Sequence, residues 1–341
     1  MKNISLSVLD PSSIIEGESA KEALENTLNL AKNVEAFGYK RYWLTEHHNW
    51  AGMASSASSL VIGRVASVTN SIRVGSAATL LSHYSALSVA EQFGVLESYF
   101  PGRIDLGLGR APGTDRNTAY VLNPQTENSP EYIDKVQELY SYLHGSGTVT
   151  SDGHFEFHAI PGENTKVPIW FHGSGTYSAQ LAGKLGLPFS FASHWSPDNL
   201  ELALKTYRNS FQPSVHLDKP YVMVAVSAFA AETMEEASEL SSSLYQKYLF
   251  ESRGAPRSLQ PPISMTELWN QGWSKYERSA VQSQLAEMII GDRQTVKEKI
   301  EDLIRRTSAD EVLVQSEVYD QQARIRSYEI ISEIFQLQNL S

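Results

Sequence analysis

Pro168-Ile169-Trp170-Phe171-His172-Gly173-Ser174-Gly175-Thr176-Tyr177-Ser178 is the stretch on which the fold turns. It reads as a buried strand that runs through a Gly/Ser turn directly into a helix over 178–184. The first backbone N–H groups of a helix lack partners of their own and point outward, with the positive end of the macrodipole behind them. Gly173 and Gly175 let an anion such as a phosphate approach that backbone, and Ser174, Thr176 and Ser178 add hydroxyl donors. An ordinary connection capped by Ser or Thr accounts for the same residues. The flanking sequence has to separate the two.

Working outward, the strand-then-helix unit repeats. Upstream, strands are expected over 4–9, 39–45, 72–78 and 103–108. The helix after the first is opened by Ser19 and Glu22 in capping-box spacing and closed by Gly38. Helical periodicity follows over 56–68, 86–99 and 130–143, then a hairpin around Asp152-Gly153. Downstream, strands are expected over 187–193, 221–230 and 311–315, with helices over 197–211, 234–250, 294–305 and 322–337. Residues 253–293 break the rhythm, hold a short helix at 279–288, and read as an insertion between strands seven and eight.

Eight strands alternating with helices, at a step of about 30–40 residues, predict an α/β fold: a (β/α)8 TIM barrel, with 1–341 as a single domain. Neither a Gly-x-Gly-x-x-Gly after the first strand nor a P-loop is present, so the usual nucleotide-binding alternatives lack support. In such a barrel the active site lies at the C-terminal ends of the strands. There the sequence puts Asp10, Glu46, His47, His48, Arg110, His172, Ser174, His194 and Glu317.

The 341 residues are enough for a large core, and 41% hydrophobic with 20% charged residues is ordinary for a globular protein. A net charge of −11 argues against nucleic acid or an anionic membrane as partner, so a bound phosphate must be held locally. With no cysteine, disulfides, thiolate metal sites and a cysteine nucleophile are excluded. The N-terminus is too short and alternating for a signal-peptide core, no apolar run suffices for a bilayer span, and the chain reads as cytoplasmic.

Glu46-His47-His48 is the most polar strand end. Adjacent residues there point to opposite sides, so one His can face the mouth and move a proton near neutral pH while the other packs outward. A histidine satisfied by a loop carbonyl, or a metal joined by His172 and Asp10, explains the same residues. The small residues Gly75-Ser76-Ala77-Ala78 leave room for a flat ring, or serve tight packing. Trp43, Trp170 and Trp195 read as core rather than as ligand platforms. Arg110 follows Gly107-Leu108-Gly109 on the rim, where it can tether a loop or meet a phosphate.

Four pieces agree in order and spacing with one family: Tyr42-Trp43-Leu44-Thr45-Glu46-His47-His48, Ile72-Arg73-Val74-Gly75-Ser76-Ala77-Ala78, Gly102-Arg103-Ile104-Asp105-Leu106-Gly107-Leu108-Gly109-Arg110, and residues 168–188. The chain resembles the bacterial-luciferase-like flavin-dependent monooxygenases, in particular their branch of uncharacterised FMN-dependent oxidoreductases. The resemblance implies a barrel with a late insertion, usually a homodimer. It implies reduced FMN from a separate flavin reductase, O2 and a small organic co-substrate, with a flavin C4a-(hydro)peroxide as oxidant. By position, His47 matches the family's catalytic His. Ala77-Ala78 matches a non-prolyl cis peptide against the flavin ring, Arg110 an Arg on the FMN phosphate, and Ser174-Gly175-Thr176-Tyr177-Ser178 the segment wrapping it. No metal ligands are assigned, and residues 253–293 are expected to supply a lid.

Two positions depart from the light-emitting enzymes. Gly109 stands where they have a reactive cysteine and Pro130 where they have a second phosphate-binding Arg, so light emission from a long-chain aldehyde is not expected. Three rivals stand beside this reading. They are a deazaflavin-dependent hydride transferase on the same barrel, a metal-dependent hydrolase using His47, His48 and His172, and an inactive flavin-binding relative.

Overall fold

Eight parallel strands pair in chain order and close on themselves in the computed structural model, which describes residues 4–124, 132–145, 148–149 and 156–337. They are β1 (Ser5–Asp10), β2 (Arg41–Leu44), β3 (Arg73–Ser76), β4 (Ile104–Gly109), β5 (Ile169–Gly173), β6 (Phe189–Ala192), β7 (Val222–Ala230) and β8 (Glu311–Gln315). β8 returns to β1 through Ser5↔Glu311 and Val8↔Val314, so the ring is closed. A parallel strand is covered on both faces, so its sequence runs apolar without alternation. Every residue of β7, Val-Met-Val-Ala-Val-Ser-Ala-Phe-Ala, is buried.

The outer layer comprises α1 (Ala20–Ala36), α2 (Ser58–Val68), α3 (Ala86–Tyr99), α4 (Tyr132–His144), α5 (Thr176–Lys184), α6 (Leu200–Ser210), α7 (Met234–Ser252), α8 (Arg293–Thr307) and α9 (Gln321–Phe335). Ser19 and Glu22 form both bonds of the capping box that starts α1, and Gly38 takes the left-handed φ of 85° just beyond its end. The main core, including Leu30, Val34, Ile62, Val65, Phe93, Ile300 and Ile331, lies between helices and strands.

Inside the ring, Leu9, Trp43, Trp170, Met223 and Leu313 form one apolar cluster. Trp43 and Trp170 meet edge to face with ring centres 5.1 Å apart, as core residues. Below them the N-terminal end is plugged by charges that satisfy one another. Arg41 bonds Asp105 at 2.5 Å and Glu311 at 3.0 Å, and Arg73 reaches Asp105 at 2.6 Å. Gly75 and Gly107 answer this crowding. A Cβ on Gly75 would strike Asp105 and the Trp43 indole, and one on Gly107 the Ser76 carbonyl. Close strand packing, rather than room for a ring, explains those two glycines.

Several boundaries differ from the sequence reading. α5 begins at Thr176 rather than 178, because Gly175 caps it in extended conformation without any side chain. Residues 253–293 carry two helices, Met265–Asn270 and Lys275–Gln284, each opened by its own Ser/Glu capping box, in place of one at 279–288. A short strand, Ile289–Gly291, then pairs with the end of β7. An unforeseen helix, Arg116–Leu122, is capped by the Asp115 carboxylate. Thr148–Val149 and Glu156–Phe157 pair antiparallel, while the Asp152-Gly153 turn and Pro130 lie outside the described residues. Among the described residues no helix is long and apolar enough to cross a membrane.

Candidate active site

The segment after β2 divides its polar groups between two directions. The buried Glu46 carboxylate accepts from Ser58 at 2.6 Å and Tyr84 at 3.0 Å, and Nε2 of His48 lies 3.3 Å from it. His48 also packs on the edge of His83. Glu46 and His48 therefore tie the loop to its neighbours. His47 turns the other way. Its Nδ1 lies 3.2 Å from the Thr45 hydroxyl, and its ring packs against Trp50. Burial, then the charges of Lys247 and His48, pull its pKa down to about 4, with Glu317 opposing. At neutral pH it is an uncharged imidazole that can take up a proton.

Lys247 on α7 and Glu317 beyond β8 form a buried pair. The ammonium donates to both carboxylate oxygens, at 2.9 and 2.7 Å. Ser13 and Gln315 complete the Glu317 bonds at 2.6 and 2.5 Å. One helical turn after Lys247, Glu251 has a buried oxygen without a partner. Burial, reinforced by Glu317 and opposed by Lys247, raises its pKa to about 7. His172 bonds the Ser190 hydroxyl through Nδ1 at 3.0 Å and stacks with its ring centre 6.1 Å from that of His194. Burial holds His172 at about 4. Burial and the nearby His172, His47 and Lys247 hold His194 at about 3. The mouth thus gathers neutral imidazoles beside one paired ammonium.

The second half of the site lies where β4 and β5 end. Register pairs Leu108 with Phe171, so the residues that follow each strand are neighbours. The Arg110 guanidinium sits 4.4 Å over the Tyr177 ring in the first turn of α5. That turn has no side-chain cap, and its Gly175 cap leaves open space where a Cβ would stand. The Tyr132 hydroxyl is buried without a partner; burial, then Tyr177, push its pKa up, and the Arg110 cation opposes them. An orphaned hydroxyl beside a guanidinium and an uncapped helix start is a donor set suited to a phosphate monoester, so these residues fit the tail of FMN. The Ala77–Ala78 peptide is cis and both residues are buried, with Ala78 resting over Gly109.

Some expected groups stand elsewhere. Asp10 is fully buried and accepts from Arg324 at 2.8 Å, Thr27 at 2.8 Å and Tyr42. It braces β1 against α9 and does not face the mouth. Lys247, Glu251, Trp50 and Tyr132 were missed. α7 reads Ser-Ser-Ser-Leu-Tyr-Gln-Lys across its buried part, which resembles a solvated face, so nothing local marks Lys247. Among the described residues no group of three His, Cys, Asp or Glu is arranged to hold a metal. With His48 turned onto Glu46 and His172 onto Ser190, the three histidines of the hydrolase rival do not converge.

Residues beyond α7 cross back over the strand ends. After β1 the Leu259 N–H donates to the Ile14 carbonyl at 2.8 Å, and the Glu16 N–H donates to the Leu259 carbonyl at 2.8 Å. Gly52 lies against the Arg257 carbonyl, where a Cβ would not fit. Leu268, Trp273 and Val281 pack on Tyr248 and Leu249 of α7 as a second core.

The family model described as luciferase-like monooxygenase matches residues 4–311. The chain belongs to the luciferase-like monooxygenase family. It is 41% identical over 334 residues to a luciferase-like monooxygenase of Escherichia coli (strain K12), covering 98% of this chain and 97% of that one. It is 37% identical to the N-acetyl-S-alkylcysteine monooxygenase of Bacillus subtilis over 238 residues, 69% of this chain and 70% of that one. The solved structure of apo-MsnO8 superposes with a TM-score of 0.84 at 29% identity, covering 98% of each chain. Family membership supports an oxidoreductase of the monooxygenase type, acting on a substrate with O2.

Proposed function

We propose that this luciferase-like chain is an FMN-dependent monooxygenase that oxygenates a small organic substrate. The observation that carries the reading is the cluster of Arg110, Tyr177 and the orphaned Tyr132 hydroxyl at the uncapped start of α5. Arg110 and the segment Ser174-Gly175-Thr176-Tyr177-Ser178 hold the phosphate, and Ala77-Ala78 lie against the ring. Reduced FMN supplies the electrons that activate O2. His47 takes up or returns the proton, which its neutral state at pH 7 permits. Residues 253–293, an insertion within the single domain, exclude water from the mouth, as activated oxygen on a flavin requires.

Under this reading the protein works in the cytoplasm as a homodimer and receives reduced FMN from a separate flavin reductase. A deazaflavin hydride transferase is the second reading. It is favoured by a solved F420-dependent secondary alcohol dehydrogenase of the same fold, at 15% identity and a TM-score of 0.70. The cofactor that raises the melting temperature of the purified protein separates the two.

The test of His47 is His47→Ala. FMN affinity should stay nearly unchanged, while oxygen consumption coupled to product formation with reduced FMN, across a substrate panel, falls by about a hundredfold. Turnover like that of the wild type would remove His47 from the mechanism.

A further inference from the structure

The opposite end of the barrel holds a cavity that the proposed reaction does not use. Its volume is about 510 Å³, within the usual range for ligand pockets, and its walls include Arg41, Arg73, Asp105, Lys166, Trp170 and Tyr221. All of these precede the strands or stand at their N-terminal ends, away from His47 and α5. In this fold that face ordinarily serves stability, and the Arg41–Asp105–Arg73 plug does so here. Three features go beyond a plug.

The first is a spare donor. Nε and Nη1 of the buried Arg41 are bonded to Glu311 and Asp105, while its Nη2 has no hydrogen-bond partner among the described residues. The guanidinium lies 4.8 Å over Trp170, which meets Tyr221 edge to face. The second is charge. Among the lining residues three are cationic and one is a carboxylate, in a chain whose net charge is −11. The carboxylates behind Tyr221 are already engaged. Glu311 accepts from Arg41 and Tyr221, and Asp310 from the Val222 N–H at 3.0 Å.

The third is a strained loop. Lys166 and Asn164 both adopt left-handed backbone, with φ of 56° and 59°. A non-glycine residue pays for that conformation, so it persists where the surroundings hold it. The backbone N–H of Lys166 donates to Leu143 at 3.0 Å, fixing the loop at the rim. Its ammonium forms no ion pair with any described residue.

We propose that this cavity is a second ligand site for an organic carboxylate with an apolar body. The carboxylate bonds Nη2 of Arg41 and pairs with Lys166, and the body lies against Trp170, Tyr221, Leu187 and Leu217. Charge-assisted bonding on a desolvated guanidinium gives the anion its preference, and the aromatic wall selects a flat or branched apolar body over a bare ion.

The full-length protein is titrated with benzoate, with benzyl alcohol as its neutral analogue and with inorganic sulfate as the bare anion, while the Trp170 indole signal is followed by NMR. Arg41 belongs to the plug and its loss endangers the fold, so the variant is Lys166→Glu, at an exposed position. Benzoate should saturate and shift Trp170. The variant, benzyl alcohol and sulfate should each bind at least about fivefold more weakly, and added FMN should not compete. Lack of saturation, equal affinity in Lys166→Glu, or displacement by FMN would each overturn the proposal.

Discussion

Replacing Lys247 by Met removes one partner of a buried pair and leaves the other charged. Lys247 is 7% exposed and Glu317 2%. The ammonium donates to both carboxylate oxygens, so the variant leaves Glu317 with only Ser13 and Gln315 as donors. An uncompensated buried charge of this kind costs about 3–5 kcal/mol. The double variant Lys247→Met/Glu317→Gln discharges both partners and keeps an acceptor for Ser13, so it should return to within about 1–2 kcal/mol of the wild type. The same change reaches His47. Lys247 lowers its pKa and Glu317 raises it, so Lys247→Met must move it upward from about 4. Urea unfolding gives the first quantity and NMR titration of the His47 ring the second. A single variant as stable as the double one, or a His47 titration that does not move, would refute the reasoning.

Arg110→Ala and Tyr132→Phe should weaken FMN by about tenfold or more while leaving riboflavin, which lacks the phosphate, unchanged in isothermal titration. Equal losses for both flavins would take the phosphate away from Arg110. His172 is neutral when folded, at about 4, but titrates near 6.5 when unfolded. The stability it lends is therefore whole above pH 6.5 and is lost as pH falls toward 4. Between pH 8 and pH 5 the unfolding free energy of His172→Gln should drop by about 2 kcal/mol less than that of the wild type, and parallel curves in urea would contradict this.

Strand positions were legible because a parallel barrel writes them plainly. Each strand is a short apolar run between a helix end and a polar loop, and β8 was read at its true bounds, Glu311–Gln315. Helix starts that depend on a side-chain cap, such as Ser19 with Glu22, were equally readable. α5 was placed late because Gly175 caps it with backbone alone. The short helix at Arg116–Leu122 was missed, although Asp115 and Thr118 carried its capping signal. The site divides in the same way. His47 and Arg110 stand directly after strands, where topology alone points them at the mouth. Lys247 and Glu251 come from the inner face of α7, and their chemistry arises only when Glu317, separated from Lys247 by 70 positions, folds against them. Tyr132 gives no signal either, since its hydroxyl matters only because the fold buries it without a partner within the electrostatic reach of Arg110.

The most direct test is a crystal structure of the protein with FMN bound. The phosphate should lie within hydrogen-bonding distance of the Arg110 guanidinium, the Tyr132 hydroxyl and the first N–H groups of α5, with the ring beside Ala77 and Ala78 and open toward His47. A phosphate seated anywhere else, or a ring walled off from His47, would contradict the account.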